Sequence, residues 1–516
     1  MKLVLDLPAL SAPSDSKPET RPPRVAAWLA DTGKRDVTTA ARMIGDALAA
    51  TNRASVGDAR RVELLSQYWK ASTTLWSPIT RLYLRSQHPL TAHANDAARA
   101  SITLAGELAD AYKRQLVRET DKRISLGGQK LMVALLRRAM QASHRLVVNC
   151  YLSYSPLPPR TWYDMHVIYA FARARGLHQT GRPDDASDVT PESIYLQTLL
   201  LALANPYGFH PGQIEIVMRY VSEHAQLAKI VDVPPVHRMA KAVAIIPVGH
   251  DFPPFSANKG GSVNGPKLYL LTFDLAFQLQ EELQKLENGG DPPPAFRHDV
   301  ASRSRNLNLL RRLLRQWAIP PARQFSRLPA RGRIIVAAGF MNAWHGSRTD
   351  DRRLMGGHPD LAPPTTCQIL NQTPGGYALR QVAASPAPLR IGDLIALRVD
   401  GKPGLQVGIV RWFRNTTTGR ALEFGCELVS DVAQAATAAA ENALDTTPTP
   451  VVVLPAPTSR RSGKNAAIDQ IVVPTGAFGL EHAVGLWHDK AKHLAVLTKF
   501  VDQGPDFEIY EFAAVA

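Results

Sequence analysis

From Val25 to about Ile230, apolar side chains return at three- and four-residue spacing, as in Ala41 to Leu48, Val62 to Trp69 and Leu131 to Met140. That period lays one apolar stripe along a helix. The breaks between stripes carry helix punctuation. Pro156 to Arg160 closes one segment, and Trp162 to Ala174 follows with Gly176 as its stop. Thr190-Pro191-Glu192 opens the next, with Thr190 as N-cap and Pro191 in the first turn, and Gly208 and Pro211 separate it from a helix over Gln213 to Leu227. Residues 25–235 therefore predict an all-α domain of helix pairs stacked in the manner of a solenoid, although no fixed repeat period runs through it. Ahead of it, residues 1–24 are rich in Pro, Ser and charge and are expected to be a disordered tail.

The texture changes after residue 235. AVAIIPV and KLYLLTF predict short strands, and Asp274 is expected to cap a helix that Gly289-Gly290 ends, so residues 236–296 read as a small α/β segment. Ser302 to Trp317 predicts an amphipathic helix with Leu307, Leu310, Leu314 and Trp317 on one side and arginines on the other, stopped by Pro320-Pro321. Six strand-like runs follow: Arg333 to Ala338, Thr366 to Leu370, Tyr377 to Val382, Leu394 to Val399, Leu405 to Trp412 and Leu422 to Val429. With Gly and Pro at their joints they predict a six-stranded antiparallel barrel, grouped with the preceding helix as residues 302–430. Residues 431–466 read as an Ala-rich helix, Val432 to Leu444, and a Pro-rich linker, and residues 467–516 as a β-rich C-terminal segment. The predicted fold class is multidomain α+β.

Bulk properties narrow the function. A chain of 516 residues exceeds what one core serves, and 45% hydrophobic with 20% charged residues is ordinary globular composition. Cys150, Cys367 and Cys426 are far apart with no Cys-x-x-Cys pairing, which argues against a zinc site or a disulfide framework and for a reducing cytoplasm. Asp6 and Pro8 interrupt the first apolar run, so no signal peptide is expected. The longest apolar stretch, around Leu199 to Ala204, falls far short of the ~20 residues of a spanning helix. Trp69, Trp76, Tyr163 and Tyr169 read as core. The sequence has no His-Glu-x-x-His, no Gly-x-Ser-x-Gly and no Walker lysine, and His250-Asp251 and Asp350-Asp351 read as solvated loop pairs, so the expectation is not an enzyme and no cofactor. Lys259-Gly260-Gly261 and Gly265 lack the spacing of a phosphate loop. The net charge of +15 favours anionic partners, and ten arginines from Arg297 to Arg333, against Asp299 alone, concentrate it.

Within that cationic stretch, Arg323-Gln-Phe-Ser-Arg327-Leu-Pro precedes the first barrel strand, and Asn371-Gln-Thr373-Pro-Gly-Gly376 comes later on the barrel. These resemble the two halves of the PilZ signature, an Arg-x-x-x-Arg arm and Asp/Asn-x-Ser-x-x-Gly, and GIVRWF and EFGCELV are similar to that family's closing strands. The resemblance covers roughly a fifth of the chain. Arg311 to Arg315 and Arg327 to Arg331 share the arm's spacing, but only Arg323 and Arg327 lead into an apolar residue and Pro329 just before a strand. Thr373 stands where the family has Ser, Ala322 where many members carry another Arg, and 44 residues separate Arg327 from Asn371.

The resemblance implies a receptor for cyclic di-GMP. Arg323 and Arg327 would fork onto its phosphates or guanine edges and stack on its purines, with Arg331 as a further candidate. Asn371 would meet a guanine edge, the Thr373 hydroxyl would donate or accept, and Gly376 would permit a tight turn or a close backbone approach. Messenger binding is expected to rearrange the N-terminal helical region, which would hold a protein partner. Two other readings stand beside this one: a degenerate PilZ scaffold that binds no messenger, and a basic nucleic-acid-binding protein, for which the helices offer no recognisable reading module.

Overall fold

The structure is a computed structural model. It describes residues 3–5, 7–10, 18–122, 128–181, 189–234, 242–257, 263–297, 303–319, 328–348, 361, 363–382, 388–402, 404–416, 421–441, 448–455, 469–488 and 491–515. Two compact units emerge, one of Met1–Ser86 with Leu90–Arg323 and one of Gln87–Pro89 with Gln324–Ala516.

The first unit opens with helices α1 (Pro22–Thr32), α2 (Val37–Arg53), α3 (Asp58–Leu84), α4 (Ala92–Asp121), α5 (Gly128–Leu152), α6 (Thr161–Ala174), α7 (Pro191–Leu203) and α8 (Pro211–His224). Their starts are set by side-chain caps: Asp36 accepts from Thr38 N and Thr39 N, Thr91 from Ala94 N, and Thr190 and Ser193 form a reciprocal capping box. On α4, Ala94, Ala97, Ala98, Ala105, Ala109 and Ala111 are buried, and these small side chains let neighbouring helices approach closely. Tyr169 is wholly buried, Trp69 and Trp76 pack half-buried against the same core, and Tyr163 lies beneath the Arg160 guanidinium. The N-terminal tail is in part packed rather than free, because Leu3 sits in this core and Arg114 donates to the Pro8 carbonyl.

The small α/β segment belongs to the same body. Strands β1 (Lys229–Val231), β2 (Val243–Ile246), β3 (Phe255–Ser256) and β4 (Leu268–Leu271) form an antiparallel sheet in the order β1-β4-β2-β3. Helices α9 (Phe273–Glu287) and α10 (Arg303–Trp317) follow. Ile246, Leu270, Leu279, Leu310 and Trp317 share one core with the helices before them. Asp251, read above as a solvated loop residue, caps α6 from outside it: its carboxylate accepts from Arg160 N, Trp162 N and Tyr163 N at 2.5, 3.0 and 3.2 Å. Thr272, not Asp274, is the residue preceding α9, and Asp274 sits in its first turn. The α10 helix also departs from its expected grouping with the barrel. It buries Leu309, Leu310, Leu313 and Trp317 in the first unit, and the Trp317 indole donates to Leu200 O at 3.1 Å.

In the second unit, β5 (Leu328–Pro329) and β6 (Arg333–Ala338) precede a short helix, α11 (Phe340–Gly346), and then come β7 (Thr365–Thr373), β8 (Gly376–Gln381), β9 (Leu394–Val399), β10 (Gln406–Asn415) and β11 (Leu422–Ser430). They form a sheet ordered β5-β7-β6-β9-β10-β11-β8, which β7–β8 pairing closes into the predicted barrel. Beyond it, β12 (Gln434–Ala440), β13 (Thr449–Leu454), β14 (Gln470–Pro474), β15 (Ala483–His488), β16 (Ala491–Gln503) and β17 (Phe507–Val515) close a second barrel.

The Ala-rich helix expected over Val432 to Leu444 is therefore strand β12, and the stretch read as linker contributes β13. Alanine's helix preference is a weak local term, and pairing with β13 and β15, with Ala436 and Ala438 inside the barrel, outweighs it. The run Val451-Val452-Val453-Leu454 is buried on both faces. Val451 and Val453 fill the second barrel, while Val452 and Leu454 pack outward with Leu394, Val407 and Ile409 of the first. A strand covered on both sides reads as continuously apolar rather than alternating. All three cysteines are buried, which pushes their thiols up to about 12 and makes them inert at neutral pH. Among the described residues, no helix is long and apolar enough to cross a membrane.

Candidate ligand face of the first barrel

Asn371, Thr373 and Gly376 fall on one hairpin, β7–β8, whose closing pair is Thr373 and Gly376. The Thr373 hydroxyl shapes the turn: it accepts from Gly375 N at 3.2 Å and donates to Gly376 O at 3.4 Å. Gly376 has φ +149°, and a Cβ there would collide with the Cys426 carbonyl oxygen of β11. No other residue fits this close approach of two strands. A register shift between Ile369 and Asn371 marks a β-bulge, after which Asn371 stands opposite Ala378.

Arg323 and Arg327 lie outside the described residues, as do Pro320-Pro321, Asp350-Asp351 and Lys259-Gly260-Gly261. The chain that follows Arg327 is nonetheless fixed. Strand β5 pairs with β7, with Leu328 opposite Gln372 and Pro329 opposite Asn371. Arg331, exposed, follows two residues after Pro329.

Asn371 is the first of four residues in register across the outer face, followed by Ala378, Gly425 and Trp412. Their neighbours Leu379, Phe424 and Phe413 point inward and are wholly buried. Ala378 and Gly425 keep the floor of this row low. The Trp412 indole lies over Gly425, where any side chain would displace it. A polar edge, a low floor and an aromatic plate in one row suit a flat ring with hydrogen-bonding edges.

Residues 23–235 match the family model described as the N-terminal domain of the cyclic-di-GMP receptor FimW, and residues 347–435 match that of its middle PilZ domain. The chain is a PilZ-domain protein. The cyclic-di-GMP receptor FimW of Pseudomonas aeruginosa strain PAO1 is 22% identical over 509 residues, which cover 84% of this chain and 81% of the relative. The match to the PilZ model runs from the residue after α11 into the start of β12, so it contains the Asn371 hairpin and the Trp412 row.

Two residues further along each strand of the PilZ barrel, the same outer face carries Arg380, Glu423 and Arg414 in register. Glu423 is buried and accepts from Arg380 at 2.6 Å and from Arg414 at 2.8 Å. Burial alone would raise its carboxyl, but the hydrogen bonds from Arg414 and Arg380 hold it below the ordinary value. The cluster is thus two guanidiniums oriented by one carboxylate, leaving net positive charge beside the Asn371 row. Trp412, Gly425, Arg380 and Arg414 were not singled out by the motifs. Their alternation was visible in RWFRN and LEFGCEL, but only the cross-strand register sets them next to Asn371.

Proposed function

We propose that this chain is a cyclic di-GMP receptor, acting in the cytoplasm as a sensor and not as an enzyme, with its site on the outer face of the PilZ barrel. Arg323 and Arg327 grip the phosphates and guanine edges of the messenger, Asn371 meets a guanine edge, and Trp412 offers its ring to a base. Thr373 and Gly376 build the hairpin that holds Asn371, and Arg331 supplies further charge. The observation that supports this reading is the β5–β7 pairing, in which Leu328 and Pro329, the residues that follow Arg327 in the sequence, stand opposite Gln372 and Asn371. The Pseudomonas aeruginosa relative is a cyclic-di-GMP receptor, which supports the same ligand.

The boundary between the two compact units falls at Arg323 and Gln324, inside the arm. A messenger that neutralises like-charged arginines there fixes the chain that joins the helical unit to the barrel, and we read this as the route to output through a protein partner on the helices. A ligand moves such an equilibrium only through its differential affinity for the two states, so partner and messenger should strengthen or weaken each other reciprocally. Calorimetric titration of the full chain tests the site. Wild type should bind cyclic di-GMP in preference to cyclic di-AMP and without competition from long DNA, and Asn371→Ala should weaken binding. An Asn371→Ala chain that binds like wild type would remove the hairpin from the site.

A further inference from the structure

The C-terminal barrel repeats the first. Numbering the six strands of each barrel in chain order, β6 to β11 without β5 gives the closed order 1-4-5-6-3-2, and β12 to β17 gives 1-2-3-6-5-4, the same cycle read in the other direction. The fifth strand also carries the same irregularity against the sixth. In β10 the register shifts between Val410 and Trp412, and in β16 between Phe500 and Asp502. Strand order and bulge together align the two barrels position by position.

Aligned on that bulge, the row Asn371, Ala378, Gly425, Trp412 of the first barrel has its counterpart in Val452, Val472, Ile509, Asp502 of the second. A polar edge, two small floor residues and an aromatic plate are replaced by three branched aliphatics and a carboxylate. That face is also occupied. Val452, Val472 and Ile509 pack in one core with Leu394, Val407 and Ile409 of the first barrel. Asp502 accepts from the Arg411 guanidinium at 2.6 Å, and Arg411 reaches Glu427 at 2.7 Å as well. Arg411 is the extra residue of the β10 bulge, immediately before Trp412. The aspartate of one barrel therefore holds the bulge that presents the indole of the other.

We propose that the C-terminal barrel is a second barrel of the same fold whose ligand face has become an intramolecular docking face, and that Asp502 is a positioning residue for Arg411 and the Trp412 plate. The chain then has one messenger face. The affinity readout rests on the cyclic di-GMP reading; the structural readout does not.

The test uses the full chain with Asp502→Asn, which keeps shape and removes charge, and Asp502→Glu, which keeps charge. Hydrogen exchange across β10 should speed up roughly tenfold in Asp502→Asn, as for loss of a charge-assisted hydrogen bond, and return towards wild type in Asp502→Glu. Unchanged exchange in β10 of Asp502→Asn would overturn the positioning role. In calorimetry, Asp502→Asn should weaken cyclic di-GMP binding severalfold with Asp502→Glu restoring it, and an Arg327→Ala/Asn371→Ala chain should show no residual messenger site. A second site surviving in that double variant would overturn the conversion of the C-terminal face. If wild type binds no cyclic di-GMP at all, the receptor reading fails, and the exchange result alone still decides the docking claim.

Discussion

Arg311 and Arg312 on α10 and Arg331 and Arg333 at the start of the first barrel belong to one cationic run in the sequence, yet the fold treats them differently. In the helical unit Arg311 bonds Glu287 at 2.8 Å, and Arg312 lies 4.3 Å from the centre of the Phe209 ring and donates to the Gly208 carbonyl. In the barrel unit Arg331 and Arg333 stand exposed around the start of β6. The first pair is structural, tying α10 to its neighbours. The second pair sits beside a strand that is paired to Asn371. Charge density in a sequence indicates an anionic partner only where the fold leaves the guanidinium heads facing solvent next to complementary groups.

Removing the hairpin should have the largest effect. Gly376→Ala places a Cβ against the Cys426 carbonyl at a positive φ, which should destabilise the barrel unit by roughly 2–4 kcal/mol and remove messenger binding. Hydrogen exchange resolved by peptide should show β7, β8 and β11 losing protection while α4 and α5 keep theirs. Equal loss in both units would mean that the two do not respond separately.

The two kinds of arginine should respond differently to truncation. Arg323→Ala and Arg327→Ala should each weaken cyclic di-GMP roughly ten- to a hundredfold, since a charge-assisted hydrogen bond contributes about 1.5–3 kcal/mol. Circular dichroism should be unchanged. Arg312→Ala should leave affinity alone and instead lower the stability of the helical unit by about 1 kcal/mol through the lost contact with Phe209. Trp412→Ala should weaken messenger binding by roughly 1–2 kcal/mol, the range for a base stacked on an aromatic ring. Tryptophan quenching on titration, lost in that variant, is the check.

Acid should move the two units in opposite directions. Burial pushes the His166 imidazole down from 6.5 to about 4, and burial with the nearby Arg145 charge takes His144 to about 3. A base with a depressed folded-state pKa contributes stability that is full above about 6.5 and is lost as the pH falls toward 4. Burial pushes the Asp393 carboxyl up from 3.8 to about 6, helped by the Asp506 carboxylate. Its cost is full above pH 6 and disappears toward pH 4, so this group favours the barrel unit over the same interval. Protection factors at pH 6.5 and 4.5 should fall in α5 and α6. Asp393→Asn should raise the barrel's melting temperature by a few °C at pH 7 and by nothing at pH 4.

Much of the barrel was legible because its strands alternate. The reading of β6 as Arg333 to Ala338 and of β9 as Leu394 to Val399 coincides with the structure to the residue. Strand β12 was not legible, because Gln434-Ala-Ala-Thr-Ala-Ala-Ala440 has neither a β-branched pattern nor alternation, and only its neighbours make it a strand. The membership of α10 was hidden for a similar reason. Its apolar stripe shows that one face is buried, not against which body. For the site, Asn371, Thr373 and Gly376 were marked by spacing, while Trp412 depends on a bulge and on the absence of a side chain at Gly425, neither of which a motif encodes.

Cyclic di-GMP is proposed to bind between the arginine arm and the Asn371 hairpin. Hydrogen exchange of the full chain at saturating cyclic di-GMP decides this. Slower exchange is expected in residues 318–331, in the β7–β8 hairpin and at the Trp412 end of β10, with no change in β13 or β14. Binding that protects the helical unit or the second barrel, and leaves those three segments as they were, would contradict it.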